Sequence, residues 1–126
     1  MTEERDLPAN RASAARGCAD EAKIARLRSA LDLQEIETIA ENLRALSDPT
    51  RVRIVWALTR EPEVCVSELI ELLHPLKQSS VSHALKALRS AELVHRRREG
   101  KVGFYSLKSS AVRDFLNEAI SNAKRR

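Results

Sequence analysis

An α/β fold, mostly α, is predicted for this chain of 126 residues: short helices, one two-stranded β-hairpin and a closing helix. Three observations carry that prediction. Apolar residues recur at helical spacing from Ile24 to Leu46 and again from Val81 to Leu88. Leu93-Val94 and Phe104-Tyr105-Ser106-Leu107 have strand character around Glu99-Gly100, where glycine supplies the positive φ of a tight hairpin. Val112, Phe115, Leu116, Ala119 and Ile120 then fall on one face of a last helix. The length suits a single domain with a modest core and leaves no room for a separate catalytic domain.

Taken in order, residues 1–20 are polar and alanine-rich, with Pro8, Asn10, Ser13 and Gly17 breaking any period, and predict a flexible N-terminal arm. Ile24, Leu27, Leu31, Ile36, Ile39, Leu43 and Leu46 predict one or two amphipathic helices separated near residues 31–33. Asp48-Pro49 fits an N-cap and a first-turn proline, opening a helix that turns Val52, Ile54, Val55 and Leu58 inward and ends near Glu61-Pro62. Ser67 is the expected N-cap of the next helix, which carries Leu69, Ile70, Leu72 and Leu73 until Pro75 closes it before the helix at Gln78. The folded domain is expected at 21–120, followed by a basic tail at 121–126.

Residues 78–107 carry the chemistry. Val81, Ala84, Leu85 and Leu88 sit at i, i+3, i+4 and i+7 and belong to the core, which leaves Gln78, Ser79, Ser82, His83 and Lys86 outward, with Ser80 near the helix start. Gln can bond adenine through two hydrogen bonds, serines reach bases or phosphates, and Lys86 suits the backbone. An ordinary solvated helix face is the plain alternative. The net charge of +4 is concentrated next door, where Arg96, Arg97, Arg98 and Lys101 stand against Glu99 alone. That cluster suits a polyanion, through phosphate or minor-groove contacts that add affinity without sequence preference.

The run Ser-Val-Ser-His (82–83 closing it), Leu93-Val94, Arg97-Arg98-Glu99-Gly100-Lys101 and Phe104-Tyr105-Ser106-Leu107 resembles the winged helix-turn-helix repressors of the ArsR/SmtB type over roughly residues 36–120. The resemblance implies a homodimer that binds double-stranded DNA at a palindromic operator and leaves it on meeting an inducer. One departure is plain: the family's turn usually reads Leu-Gly-Leu, whereas Leu73-His74-Pro75-Leu76 is one residue longer and has no glycine. The apolar faces of 24–46 and 112–120 exceed the needs of a small core, and the excess is assigned to a dimer interface through Leu27, Leu31, Phe115, Leu116 and Ile120. Completion of the monomer core is the other use of those residues.

In zinc sensors of this type the last helix supplies acidic and histidine ligands, but 109–126 offers Asp114 and Glu118 and no histidine, so no zinc site is expected there. In cadmium, lead and arsenic sensors a Cys-containing motif opens the first helix of the reading pair. Here Val64-Cys65-Val66-Ser67 keeps one such cysteine, and Cys18 lies in the arm. Two thiols could take a soft metal ion or a trivalent metalloid as inducer; a redox or persulfide switch, or simple packing, are the alternatives left open. His83 has no Cys, His, Asp or Glu three or four residues away to complete a helical metal pair and is assigned to DNA.

Other classes have little support. His74, His83 and His95 form no recognisable catalytic pattern, and there is no Gly-rich phosphate loop, so an enzyme is not expected. A winged module that binds only protein would suit an acidic or neutral hairpin tip. No run reaches the roughly 20 apolar residues of a membrane helix and no signal pattern opens the chain, which predicts a cytoplasmic protein with no membrane partner.

Overall fold

The structure is a computed structural model that describes residues 17–125. Residues 1–16 of the expected arm and the last residue of the expected tail lie outside the described residues. The chain divides into two compact units, Met1–Ile36 and Glu37–Arg126.

In the first unit, α1 spans Glu21–Ala30. Asp20 opens it by accepting from the N–H of Ala22 at 2.9 Å and of Lys23 at 3.1 Å, answering donors that a helix start leaves unpaired. Extended Leu31 ends it, and Asp32 repeats the device for α2 (Leu33–Ala45), accepting from Gln34 and Glu35. The break falls where the sequence places it, and the answer is two helices. No residue of α1 is buried, and Ile24, Leu27 and Leu31 stay exposed.

The second unit contains the remainder of α2, then α3 (Pro49–Arg60), β1 (Val64–Cys65), α4 (Val66–Leu72), α5 (Gln78–Ser90), β2 (Val94–Glu99), β3 (Val102–Leu107) and α6 (Ser110–Lys124). Asp48 caps α3 by accepting from the Arg51 N–H at 3.0 Å, with Pro49 in the first turn as expected. Ile54, Val55 and Leu58 of α3 are fully buried beside Leu69, Leu73, Val81 and Leu88, and α3 packs on α5, β3 and α6. Each such side chain contributes roughly 1.5–3 kcal/mol by leaving water. Arg113 ties α6 down by donating to the Thr59 carbonyl at 2.6 Å. The helix continues to Lys124, so the polar residues beyond Ile120 form its last turn.

One detail of the helix-turn-helix differs from expectation, and another finds its reason. Helix α4 starts at Val66 with Cys65, not Ser67, as its N-cap, because the Glu68 carboxylate accepts from the Cys65 N–H at 2.9 Å and closes the first turn from that side. The missing glycine of the turn also has a reason. Among the described residues positive φ occurs only at Gly17, Glu92 and Gly100, so nothing between Leu73 and Lys77 demands a glycine.

Helix α5 ends in a Schellman motif. The Leu93 N–H donates to the Leu88 carbonyl at 3.0 Å and the Glu92 N–H to the Arg89 carbonyl at 2.9 Å, with Glu92 left-handed at φ 62°. Leu88 and Leu93, the apolar pair that accompanies this ending, are both buried. The chain then enters the expected hairpin. Glu99 pairs with Val102 across a loop of Gly100 and Lys101, and Gly100 takes φ 62°. A third strand that the sequence does not announce, β1, pairs with β3 through Val64 to Tyr105 and Cys65 to Phe104, giving the sheet order β1-β3-β2.

Candidate nucleic-acid interface

Helix α5 keeps its two faces apart. Val81, Ala84, Leu85 and Leu88 are buried, while Gln78, Ser79, Ser80, Ser82, His83 and Lys86 are all exposed. Lys77, the N-cap residue, and Arg89 are exposed at the two ends of the same helix. They extend the polar surface beyond the residues singled out from sequence. The signal for Arg89 was present, since it stands three residues after Lys86.

The wing separates its cations. Along β2 the pleat puts Val94, Arg96 and Arg98 on one side and His95, Arg97 and Glu99 on the other. Arg96 and Arg98 are exposed, as is Lys101 at the tip, and among the described residues none of the three has a carboxylate partner. Arg97 is half-buried and fully engaged. Its Nε and Nη2 donate to the two Glu63 oxygens at 2.9 and 2.8 Å, and its Nη1 donates to Glu99 at 2.9 Å. The guanidinium carbon lies 4.6 Å from the centre of the Phe104 ring, the residue opposite Arg97 on β3. The hydrogen bond from Arg97 holds the Glu63 carboxyl below the usual carboxylate range, and Glu63 followed by Glu99 raises the already high guanidinium pKa.

The remaining residues that the sequence singles out are placed as follows. Leu27 and Leu31 are exposed in the first unit, where Cys18 is exposed as well. Cys65 is half-buried where β1 meets α4. Phe115 is 50 % exposed and Ile120 half-buried, whereas Leu116 is 5 % exposed and belongs to the protomer's own core. Leu116 therefore has little to offer a partner. Phe115 also lines an apolar groove between α2 and α6 with Ile39, Leu43, Leu46 and Val112.

A helix-turn-helix with an exposed polar second helix, followed at once by a basic hairpin, defines the winged helix-turn-helix class of DNA-binding proteins. Comparison with known proteins narrows the class. Residues 48–96 match the family described as bacterial regulatory protein, arsR family. The chain is 39% identical over 92 residues to a transcriptional repressor SmtB homolog of Synechocystis sp., covering 73% of this chain and 68% of that one. It is 32% identical over 100 residues to a cadmium resistance transcriptional regulatory protein CadC homolog of Staphylococcus aureus, covering 79% and 82%. Among solved structures, HlyU from Vibrio cholerae superposes with a TM-score of 0.65 at 29% identity, covering 73% of this chain and 97% of that chain. The chain belongs to the arsR family of bacterial regulatory proteins and is a DNA-binding transcriptional regulator with a winged helix-turn-helix.

Proposed function

We propose that the protein is a cytoplasmic, non-enzymatic repressor that sits as a homodimer on a palindromic operator and is released by an inducer. The observation that carries this is the exposed row Gln78, Ser79, Ser80, Ser82, His83 and Lys86 on the back of a helix anchored by a buried stripe. Those groups face the major groove and select bases, while Arg96, Arg98 and Lys101 of the wing hold phosphates. The arm at 1–20 precedes a binding and dimerisation domain that continues through α6 to Lys124. No helix of the described residues is long and apolar enough to cross a membrane. Binding of the purified chain to the duplex upstream of its own gene, against random duplex of equal length, tests the proposal: equal affinities overturn it.

Dimerisation is assigned to the exposed apolar residues Leu27, Leu31 and Phe115, together with half-buried Ile120. Two half-sites one duplex turn apart match a two-fold dimer. Phe115→Glu should give a monomer in sedimentation and lose operator binding, because an unpaired charge in an apolar interface costs several kcal/mol when fully buried. A stable dimer would move the interface elsewhere.

The inducer is assigned to the Cys65 thiol. Its place supports this: Cys65 is the N-cap of α4, so a bond formed at its sulfur acts on the start of the helix-turn-helix. One relative is named for cadmium resistance and another, of Bacillus subtilis, is named as an arsenical resistance operon repressor, which points to a thiophilic agent. Among the described residues no three of His, Cys, Asp and Glu gather where a metal ion could be held. The described residues of one chain thus do not form a complete metal centre. Cys65→Ser should keep DNA binding and abolish release by cadmium, arsenite or an oxidant; normal release would place the inducer elsewhere.

A further inference from the structure

Three of the wing's four cations face solvent without a carboxylate partner among the described residues, and the fourth is turned back into the protein. The two carboxylates on Arg97 outnumber its single positive charge. A phosphate arriving there would meet two like charges, or would have to break a two-pronged charge-assisted contact, a third hydrogen bond and the stack on Phe104. Arg96 and Arg98 lie on the opposite side of the pleat, and nothing of that kind opposes them.

The partner of Arg97 is also informative. Glu63 lies 34 positions earlier, immediately before β1, and two residues on, the Cys65 N–H is held by Glu68 of α4 at 2.9 Å. The wing's contact at Glu63 and the first turn of the helix-turn-helix at Cys65 thus meet the chain two residues apart. The Arg97 and Glu63 side chains are 41% and 36% exposed, so their pairing adds little to global stability.

We infer that Arg97 is a positioning residue, latched by Glu63 to hold the wing against the start of α4, and that the wing's phosphate contacts are made by Arg96, Arg98 and Lys101 without it. The inference rests on the proposal that the wing touches DNA, and its test separates the two. The full chain is titrated with salt on a random-sequence 30-base-pair duplex, which reports phosphate contacts whatever the operator is. Arg98→Gln should make the slope of log K against log salt shallower by about 0.9, as expected when one phosphate is no longer neutralised, while Arg97→Gln leaves it unchanged. Glu63→Gln frees Arg97 towards the duplex and should steepen the slope by up to about 0.9, but not in an Arg97→Gln background.

Hydrogen exchange gives a readout of position. Amides of residues 96–104 should exchange at least about twofold faster in both Arg97→Gln and Glu63→Gln, and no faster in the double variant, as expected of two groups in one contact. Glu63→Gln opens the latch while every wing cation stays in place, so it decides the matter even if Arg97→Gln fails to fold. A slope as shallow in Arg97→Gln as in Arg98→Gln overturns the inference and makes Arg97 a phosphate contact. Unchanged hairpin exchange in Glu63→Gln also overturns it. An unchanged slope in a variant with Arg96, Arg98 and Lys101 all replaced by Gln overturns the wing as a DNA contact altogether.

Discussion

The outer face of α5 and the basic side of the wing lie next to each other in the sequence and are both polar, yet their side chains are held differently. On α5, every polar group named from the spacing is exposed, because the turn-by-turn geometry of a helix leaves no other place once Val81, Ala84, Leu85 and Leu88 are buried. On the wing, four cations within six residues divide into three that have no carboxylate partner among the described residues and one paired with two carboxylates of the protein. Helical spacing reports exposure well. Strand alternation reports only the side of the sheet, and a neighbour from elsewhere in the chain decides whether a charge on that side is free.

The largest effect is expected from inside α5. Leu88→Ala removes a fully buried side chain from the stripe that anchors the helix and should cost about 2–5 kcal/mol. Urea denaturation should show that destabilisation, with binding falling only as far as the folded fraction falls. A cost under about 1 kcal/mol, well below the range for such truncations, would mean that α5 is held by something other than this stripe.

Changes on the outer face should do the reverse. Ser82→Ala with His83→Ala should leave the denaturation midpoint within experimental error, since both side chains are exposed. Affinity for the operator should fall by on the order of 1–3 kcal/mol for each base that the helix no longer bonds, with random duplex little affected. Equal weakening on both duplexes would reassign these residues from bases to phosphates.

The junction of the two regions gives a smaller and opposite effect. Glu92 holds a left-handed conformation at φ 62° that strains side chains other than glycine. Glu92→Gly should stabilise the fold by about 0.5–1 kcal/mol in thermal denaturation, outweighing the exposed ion pair with Lys108. Destabilisation would show that the pair matters more than the backbone.

The smallest effect concerns pH. Arg97, with a lesser contribution from His95, lowers the Glu63 pKa, so the pairing stabilises the fold above the ordinary glutamate value of 4.5 and loses that contribution as pH falls through the lower folded value. The stability difference between wild type and Glu63→Gln should therefore shrink as pH falls below about 5. A difference that does not shrink in acid would mean that the Glu63 carboxylate is not held in its charged form by Arg97.

Elements that repeat a local rule are legible in the residues alone. The α3 cap at Asp48, the two faces of α5, the Gly100 turn and the apolar side of α6 all stand where spacing and turn chemistry put them, because each depends on residues within a turn or two of one another. Only the tertiary structure decided the rest. A two-residue strand such as β1 has no period to detect and exists because Tyr105 and Phe104 of β3 lie beside it. Cys65 displaces Ser67 as the cap of α4 because Glu68 reaches back to its N–H, and Leu116 turns into the protomer's core while Phe115 stays open. Arg97 is withdrawn by a carboxylate 34 residues away. An ion pair across that separation leaves no mark on local composition, since its energy depends on where the fold brings two charges together.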